Sequence, residues 1–135
     1  GIVSEEQLDD GACDFPRIND NLIGLTSEYG YCMQLKTDVE DLTFGEHLFK
    51  YHLESGKRTD HHLGKNVAGG EPVFAPKPGS SKEDEGWILS LVHERETRQS
   101  KLVIIDAEAF DHEPVAEVII PQRVPYGAHG SWIQN

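Results

Sequence analysis

The chain has 135 residues, 37% apolar and 27% charged, the balance of a globular segment with one ordinary core, and no stretch approaches the run of about 18 apolar residues that crossing a bilayer requires. Its 24 acidic and 12 basic residues give a net charge of -12, which argues against a nucleic acid or an anionic membrane as partner and for a small or neutral one. Two cysteines, Cys13 and Cys32, stand in no CxxC arrangement, make no disulfide framework, and read as buried free thiols.

Opening on Gly1 rather than Met, the chain is expected to be part of a longer protein, with one domain or part of one across residues 1–135. The first residues lack the basic-then-apolar order of a signal peptide, so localisation stays open between the cytoplasm and an organelle such as a plastid. Residues 2–10, IVSEEQLDD, have a weak helical period and suit either a short helix or irregular chain. Short runs rich in β-branched and aromatic residues then predict strands at 29–35 (YGYCMQL), 47–53 (HLFKYHL), 72–76 (PVFAP), 86–94 (GWILSLVHE), 101–107 (KLVIIDA) and 115–121 (VAEVIIP). Between them, 56–70 (GKRTDHHLGKNVAGG) and 77–86 (KPGSSKEDEG) read as loops, and the strands at 86–94 and 101–107 pair as a hairpin across RETRQS. The class is mostly β. Sandwich, barrel and propeller blades remain equally compatible, since no blade repeat is visible.

Seven histidines are many for this length, yet none pair locally as metal ligands. Adjacent His61 and His62, and His47 and His52 five apart, point to opposite faces of a strand. His93 at a strand end and His112 in an acidic turn read as exposed imidazoles. His129 differs, because RVPYGAHGSW flanks it with Gly127 and Gly130, residues that let a backbone bend tightly and approach closely. A glycine-flanked histidine serves as a turn residue or as a ligand, and the residues alone leave both open. Glu71, leading into an apolar strand, is awkwardly placed without a partner, and Asp14 between Cys13 and Phe15 poses the same question. No GxSxG, HExxH, Walker-type or GxGxxG motif is present, which disfavours hydrolase and nucleotide-binding readings.

Taken in order, DFPRIN at 14–19, YGY at 29–31, KYHLESG at 50–56, GGEPVFAPKPGSSKEDEGWILSLV at 69–92, SKLVIIDA at 100–107 and PVAEVIIPQRVPYGAHGSWI at 114–133 resemble the C-terminal part of the carotenoid oxygenase family. The resemblance covers nearly everything from Asp14 onward. It implies an all-β fold, the C-terminal blades of a seven-bladed β-propeller incomplete in this chain, whose axis holds Fe(2+) on four histidines. The last of these falls on His129, in GAHG where the family usually has GFHG, and Ala128 in place of the usual Phe widens the substrate cavity. The other three ligands are expected upstream of this chain.

The resemblance also makes Glu71 a carboxylate that accepts a hydrogen bond from a ligand imidazole. Asp14, where the family usually carries Glu, becomes a second such acid with a shorter arm. The implied reaction is cleavage of a carbon–carbon double bond in an apolar polyene or stilbenoid substrate by O2, giving carbonyl products. It leaves room for peripheral membrane contact through segments outside this chain. The rival reading is a non-catalytic propeller fragment or binding module without iron, and three further histidines on separate upstream strands discriminate the two.

Overall fold

The computed structural model describes residues 3–37, 43–127 and 129–133, so Ala128 lies outside the described residues. Among the described residues nine strands form two antiparallel sheets. The first runs in simple sequence order: β1 (Cys13–Arg17), β2 (Tyr29–Lys36), β3 (Thr43–His52) and β4 (Lys57–His62). In the second, β5 (Val67–Ala68) and β6 (Val73–Pro76) both pair with β7 (Gly86–Glu94), which is followed by β8 (Ser100–Asp106) and β9 (Ala116–Ile120). The one helical element among the described residues is a single 3-10 turn at Asp20–Leu22, capped by the side chain of Asn19. Among the described residues no helix is long and apolar enough to cross a membrane.

The two-residue period of each strand sends alternate side chains into the space between the sheets. Tyr31 and Met33 of β2, Leu48 of β3, Phe74 of β6, Ile88 and Val92 of β7, and Val103 and Ile105 of β8 meet there, with Phe110 inserted from the loop after β8. Met33, Leu48, Ile88 and Ile105 have no accessible surface, and full burial of such a side chain contributes about 1.5–3 kcal/mol. Tyr31 stacks on Phe74 with ring centres 6.0 Å apart, joining the sheets at mid-core. On the far face of the first sheet, Cys32, Phe49, Tyr51 and Leu53 form a smaller apolar cluster.

Several expected boundaries shift. The segment 56–70 is not a loop: Lys57–His62 forms β4, paired residue by residue with β3, and Val67–Ala68 forms β5. Its charged residues belong to an edge strand, where alternate side chains reach solvent and polarity conceals β structure. The hairpin of β7 and β8 forms as expected, in a continuous register from Trp87↔Asp106 to His93↔Ser100. Residues 3–12 take the irregular option. Of the two thiols only Cys32 is buried, because Cys13 lies on the edge strand β1 and is exposed.

The 77–85 connection does more than join β6 to β7, because its acidic residues clasp the first sheet. The Glu83 carboxylate accepts the backbone N–H groups of Glu28 and Tyr29, both at 2.9 Å, and its carbonyl accepts from Asn19 Nδ2 at 3.0 Å. Buried Lys50 Nζ donates to Asp84 Oδ2 at 2.8 Å and to the Ala107 carbonyl at 2.7 Å, with the ammonium 4.3 Å from the centre of the Tyr29 ring. Lys50→Met therefore leaves a carboxylate and a carbonyl without their cation between two sheets. Urea unfolding of the full-length protein is expected to show a loss of roughly 3 kcal/mol, partly recovered when Asp84→Ala is added; a stability unchanged by Lys50→Met would contradict the clasp.

Candidate metal site

Glu71 stands just before β6, in the connection from β5 to β6 within the second sheet. Two glycines let that connection run close to both sheets. Gly69 N–H donates to the Gly45 carbonyl at 3.0 Å, and Gly70 lies so close to β7 that a Cβ on it would sit 2.5 Å from the Leu91 carbonyl oxygen. Ser90 Oγ holds the Gly70 peptide from both sides, accepting its N–H at 3.2 Å and donating to its carbonyl at 3.0 Å. The double glycine thus lets backbone pass over backbone and delivers the next side chain, Glu71, to the end of the sheet.

There the Glu71 carboxylate gathers three donors. Oε1 lies 3.0 Å from His129 Nδ1 and accepts from the Arg17 guanidinium at 3.0 Å, while Oε2 accepts the Gly130 N–H at 2.5 Å. Arg17 also donates to the Gly130 carbonyl at 2.6 Å and pairs with Asp20 at 3.0 Å. The side chain of Glu71 is 8% exposed and that of Arg17 15%, whereas the His129 side chain is 75% exposed. Burial alone would raise the Glu71 pKa, but the donors from His129, Gly130 and Arg17 outweigh it and hold the carboxyl below its ordinary value near 4.5. Glu71 is therefore ionised at neutral pH and can only accept, so His129 Nδ1 must carry the proton. In the neutral ring Nε2 then holds the lone pair, the state in which an imidazole binds a metal.

Aromatic side chains wall the ring. A bulge in β1 between Asp14 and Arg17 puts Phe15 at φ 55°, an uncommon conformation for an aromatic residue, and its ring packs edge-on against His129 with centres 5.5 Å apart. Phe44 meets Phe15 at 5.7 Å and Tyr126 at 5.2 Å. On the other side, Val73, Leu89, Leu91, Leu102 and Trp132 line an apolar cavity of about 250 Å³ that His129, Glu71 and Gly130 border.

Glu71 was expected to meet some ligand imidazole, and the ring beside it in this structure is that of His129, 3.0 Å away. Asp14 is not part of this cluster: it is exposed on β1, and its carboxylate accepts the N–H of Phe15 at 2.7 Å. Two functional neighbours went unseen in the sequence, Phe15 and Arg17, although both lie in the DFPR motif. A carboxylate leading into an apolar strand needs a cation, and Arg17 was the nearest unassigned one in a motif; its contact across 54 residues could not be read from spacing.

The remaining histidines are less uniform than expected. His93 is buried rather than exposed, because it lies inside the β7–β8 ladder opposite Ser100. His61 is buried too, with Nδ1 2.8 Å from the Phe110 carbonyl. His47 and His62 face each other across β3 and β4 with rings 4.8 Å apart, a pairing invisible along either strand. Among the described residues no group of three or more His, Cys, Asp or Glu side chains is arranged to hold a metal, so His129 stands as a single donor.

This chain belongs to the carotenoid oxygenase family: the family model described as retinal pigment epithelial membrane protein matches residues 2–134. It is 30% identical to the apocarotenoid-15,15'-oxygenase of Synechocystis, over 98% of this chain and 27% of that enzyme. It is 34% identical to a carotenoid 9,10(9',10')-cleavage dioxygenase of Crocus sativus, over 100% of this chain and 27% of the relative. The crystal structure of cobalt-substituted Synechocystis apocarotenoid oxygenase superposes with a TM-score of 0.85 at 30% identity, covering 95% of this chain and 26% of that one. The chain spans about a quarter of the length of these relatives. Its two sheets are blades of the family's seven-bladed β-propeller.

The Glu71 cluster has a signed pH dependence. Because the folded Glu71 pKa is depressed, its contribution to stability is present above the unfolded value near 4.5 and is lost as pH falls through the folded one. Arg17→Met removes one donor and raises the folded value, so the acid limb of stability should move toward neutral pH. Unfolding midpoints between pH 3 and 6 check this; coincident acid limbs for wild type and variant would show that Arg17 does not hold the carboxylate.

Proposed function

We propose that the full-length protein is a non-haem Fe(II) dioxygenase that cleaves a carbon–carbon double bond of a carotenoid, apocarotenoid or stilbene-like substrate to two carbonyl products. Residues 1–135 form the C-terminal part of its single propeller domain. The observation that carries this reading is the hydrogen bond between His129 Nδ1 and the buried Glu71 carboxylate, 3.0 Å long, which leaves Nε2 as a neutral nitrogen donor beside an apolar cavity. Relatives named as carotenoid and apocarotenoid cleavage enzymes support the substrate class, and a cobalt-substituted member supports a divalent metal.

The residues present fit one corner of such a site. An imidazole whose second nitrogen is tied to a carboxylate is oriented and made more basic, as metal-binding histidines are. His129 would hold the iron together with three histidines outside this chain. When bound, Fe(II) supplies a centre for activating O2 next to the substrate double bond. This chain's residues orient and screen. Glu71 fixes the ring and its tautomer, Arg17 keeps Glu71 ionised and pins Gly130, and Phe15 closes one side of the ring. Val73, Leu89 and Leu91 offer surface suited to a neutral polyene and not to water. Asp14, one methylene shorter than the family's usual Glu, would serve a ligand imidazole with a shifted geometry or through a water.

Metal analysis and chromatography of aldehyde products in the full-length protein test this. His129→Ala is expected to abolish cleavage and deplete iron, while Glu71→Gln lowers iron retention or activity roughly 10- to 100-fold. Alanine at exposed His62 or His112 should leave most activity, whereas buried His61 and His93 serve as controls for loss of stability. Full activity in the His129 variant, or equal loss at His62 or His112, would remove His129 from the metal.

A further inference from the structure

In a chain with twice as many acids as bases, the cations should be found beside carboxylates, and most are. Arg17 pairs with Asp20 and Glu71, Arg58 with Asp9 and Asp60, and Lys101 with Glu94 and Glu117. Three of the five arginines behave differently. Arg95, Arg98 and Arg123 line one cavity of about 340 Å³, completed by His93 and Tyr126, with no carboxylate in its lining among the described residues. None of the three forms an ion pair among the described residues.

The acids nearest in sequence are engaged elsewhere. Glu94 is held by Lys101 at 3.2 Å and by the Thr97 hydroxyl at 3.0 Å, and Glu96 accepts from Asn66 Nδ2 at 3.1 Å. The arginines come from two separate segments, the β7–β8 turn and the strand-less stretch after β9, so their approach is a product of the fold and not of a basic run. Arg95 is braced by a hydrogen bond to the Phe44 carbonyl at 3.2 Å, and the Arg123 guanidinium lies 5.6 Å from the centre of the Tyr126 ring. Arg98 occupies the left-handed region at φ 59°, where glycine or asparagine would be the ordinary choice. Three guanidinium groups thus line one cavity with no ion pair to a carboxylate among the described residues.

We propose that this cavity is a binding site for a phosphate-like oxyanion, either a soluble phosphate ester or the phosphate headgroup of a lipid. Guanidinium groups present planar forks that match phosphate oxygens two at a time, and three of them around one cavity suit a dianion better than a single carboxylate. The site is independent of the iron reading: none of its arginines touches His129 or Glu71, and the local cation cluster runs against the chain's overall negative charge.

The test uses the full-length protein and inorganic phosphate at constant ionic strength, with chloride as the balancing anion. Millimolar phosphate should raise the melting temperature in a saturable way, and Arg98→Gln or Arg123→Gln should weaken phosphate about tenfold each, the value of one lost charge-assisted contact. Melting without phosphate checks that each variant is folded. A second arm measures co-sedimentation with phosphatidylcholine vesicles with and without phosphatidic acid. Retention by phosphatidic acid that both substitutions remove assigns the site to a lipid headgroup, and phosphate binding without such retention assigns it to a soluble ester. No saturable effect of phosphate, or an effect undiminished in both variants, overturns the proposal.

Discussion

The Glu71 carboxylate is the point on which the candidate site depends. One buried anion receives a ring nitrogen, a backbone N–H and a guanidinium, each from a part of the chain distant in sequence. Because an ionised carboxylate only accepts, its presence decides which nitrogen of His129 carries the proton and which is left as a donor. The same contact fastens residues 129 and 130 to β1 and to the entry of β6, so the terminal segment takes its place through polar contacts as well as packing. Burial pushes the Glu71 carboxyl up, and the donors from His129, Gly130 and Arg17 together outweigh it.

The sheets supply the rigidity that such a constellation requires. Their core is closed by interdigitating side chains, but their relative placement is also set by polar groups: Lys50 between Asp84 and the Ala107 carbonyl, and Glu83 across the N–H groups of Glu28 and Tyr29. These contacts link the acidic connection between β6 and β7 to the first sheet. Arg17 on β1 of the first sheet and Glu71 at the entry of β6 in the second meet at 3.0 Å across this joint. Polar contacts with strict geometry fix register in a way that apolar packing alone does not.

Much of this architecture was legible in the sequence, and the failures have identifiable causes. Central strands such as GWILSLVHE are apolar on both faces and bounded by turn residues, so their ends are clear; β4, KRTDHH, is an edge strand whose polar side chains look like those of a loop. β1 contains a proline and a bulge, which hide its period. That Glu71 needs a histidine partner came from the family's order of motifs, but that the partner is His129 did not, since 58 residues separate them and no local periodicity connects them. Arg17 and Phe15 escaped because their roles arise only when β1 bends at the bulge. Burial of His93 escaped for a related reason: its position near a strand end suggested solvent, while the ladder continues to Ser100.

The central claim is that Glu71 holds His129 by Nδ1 so that Nε2 faces the metal. Anomalous diffraction at the iron absorption edge from crystals of the full-length protein tests it most directly. The account predicts an iron peak within bonding distance of His129 Nε2, with Nδ1 still hydrogen-bonded to Glu71. Iron bound through Nδ1, or an iron peak elsewhere in the molecule with His129 left unligated, would contradict it.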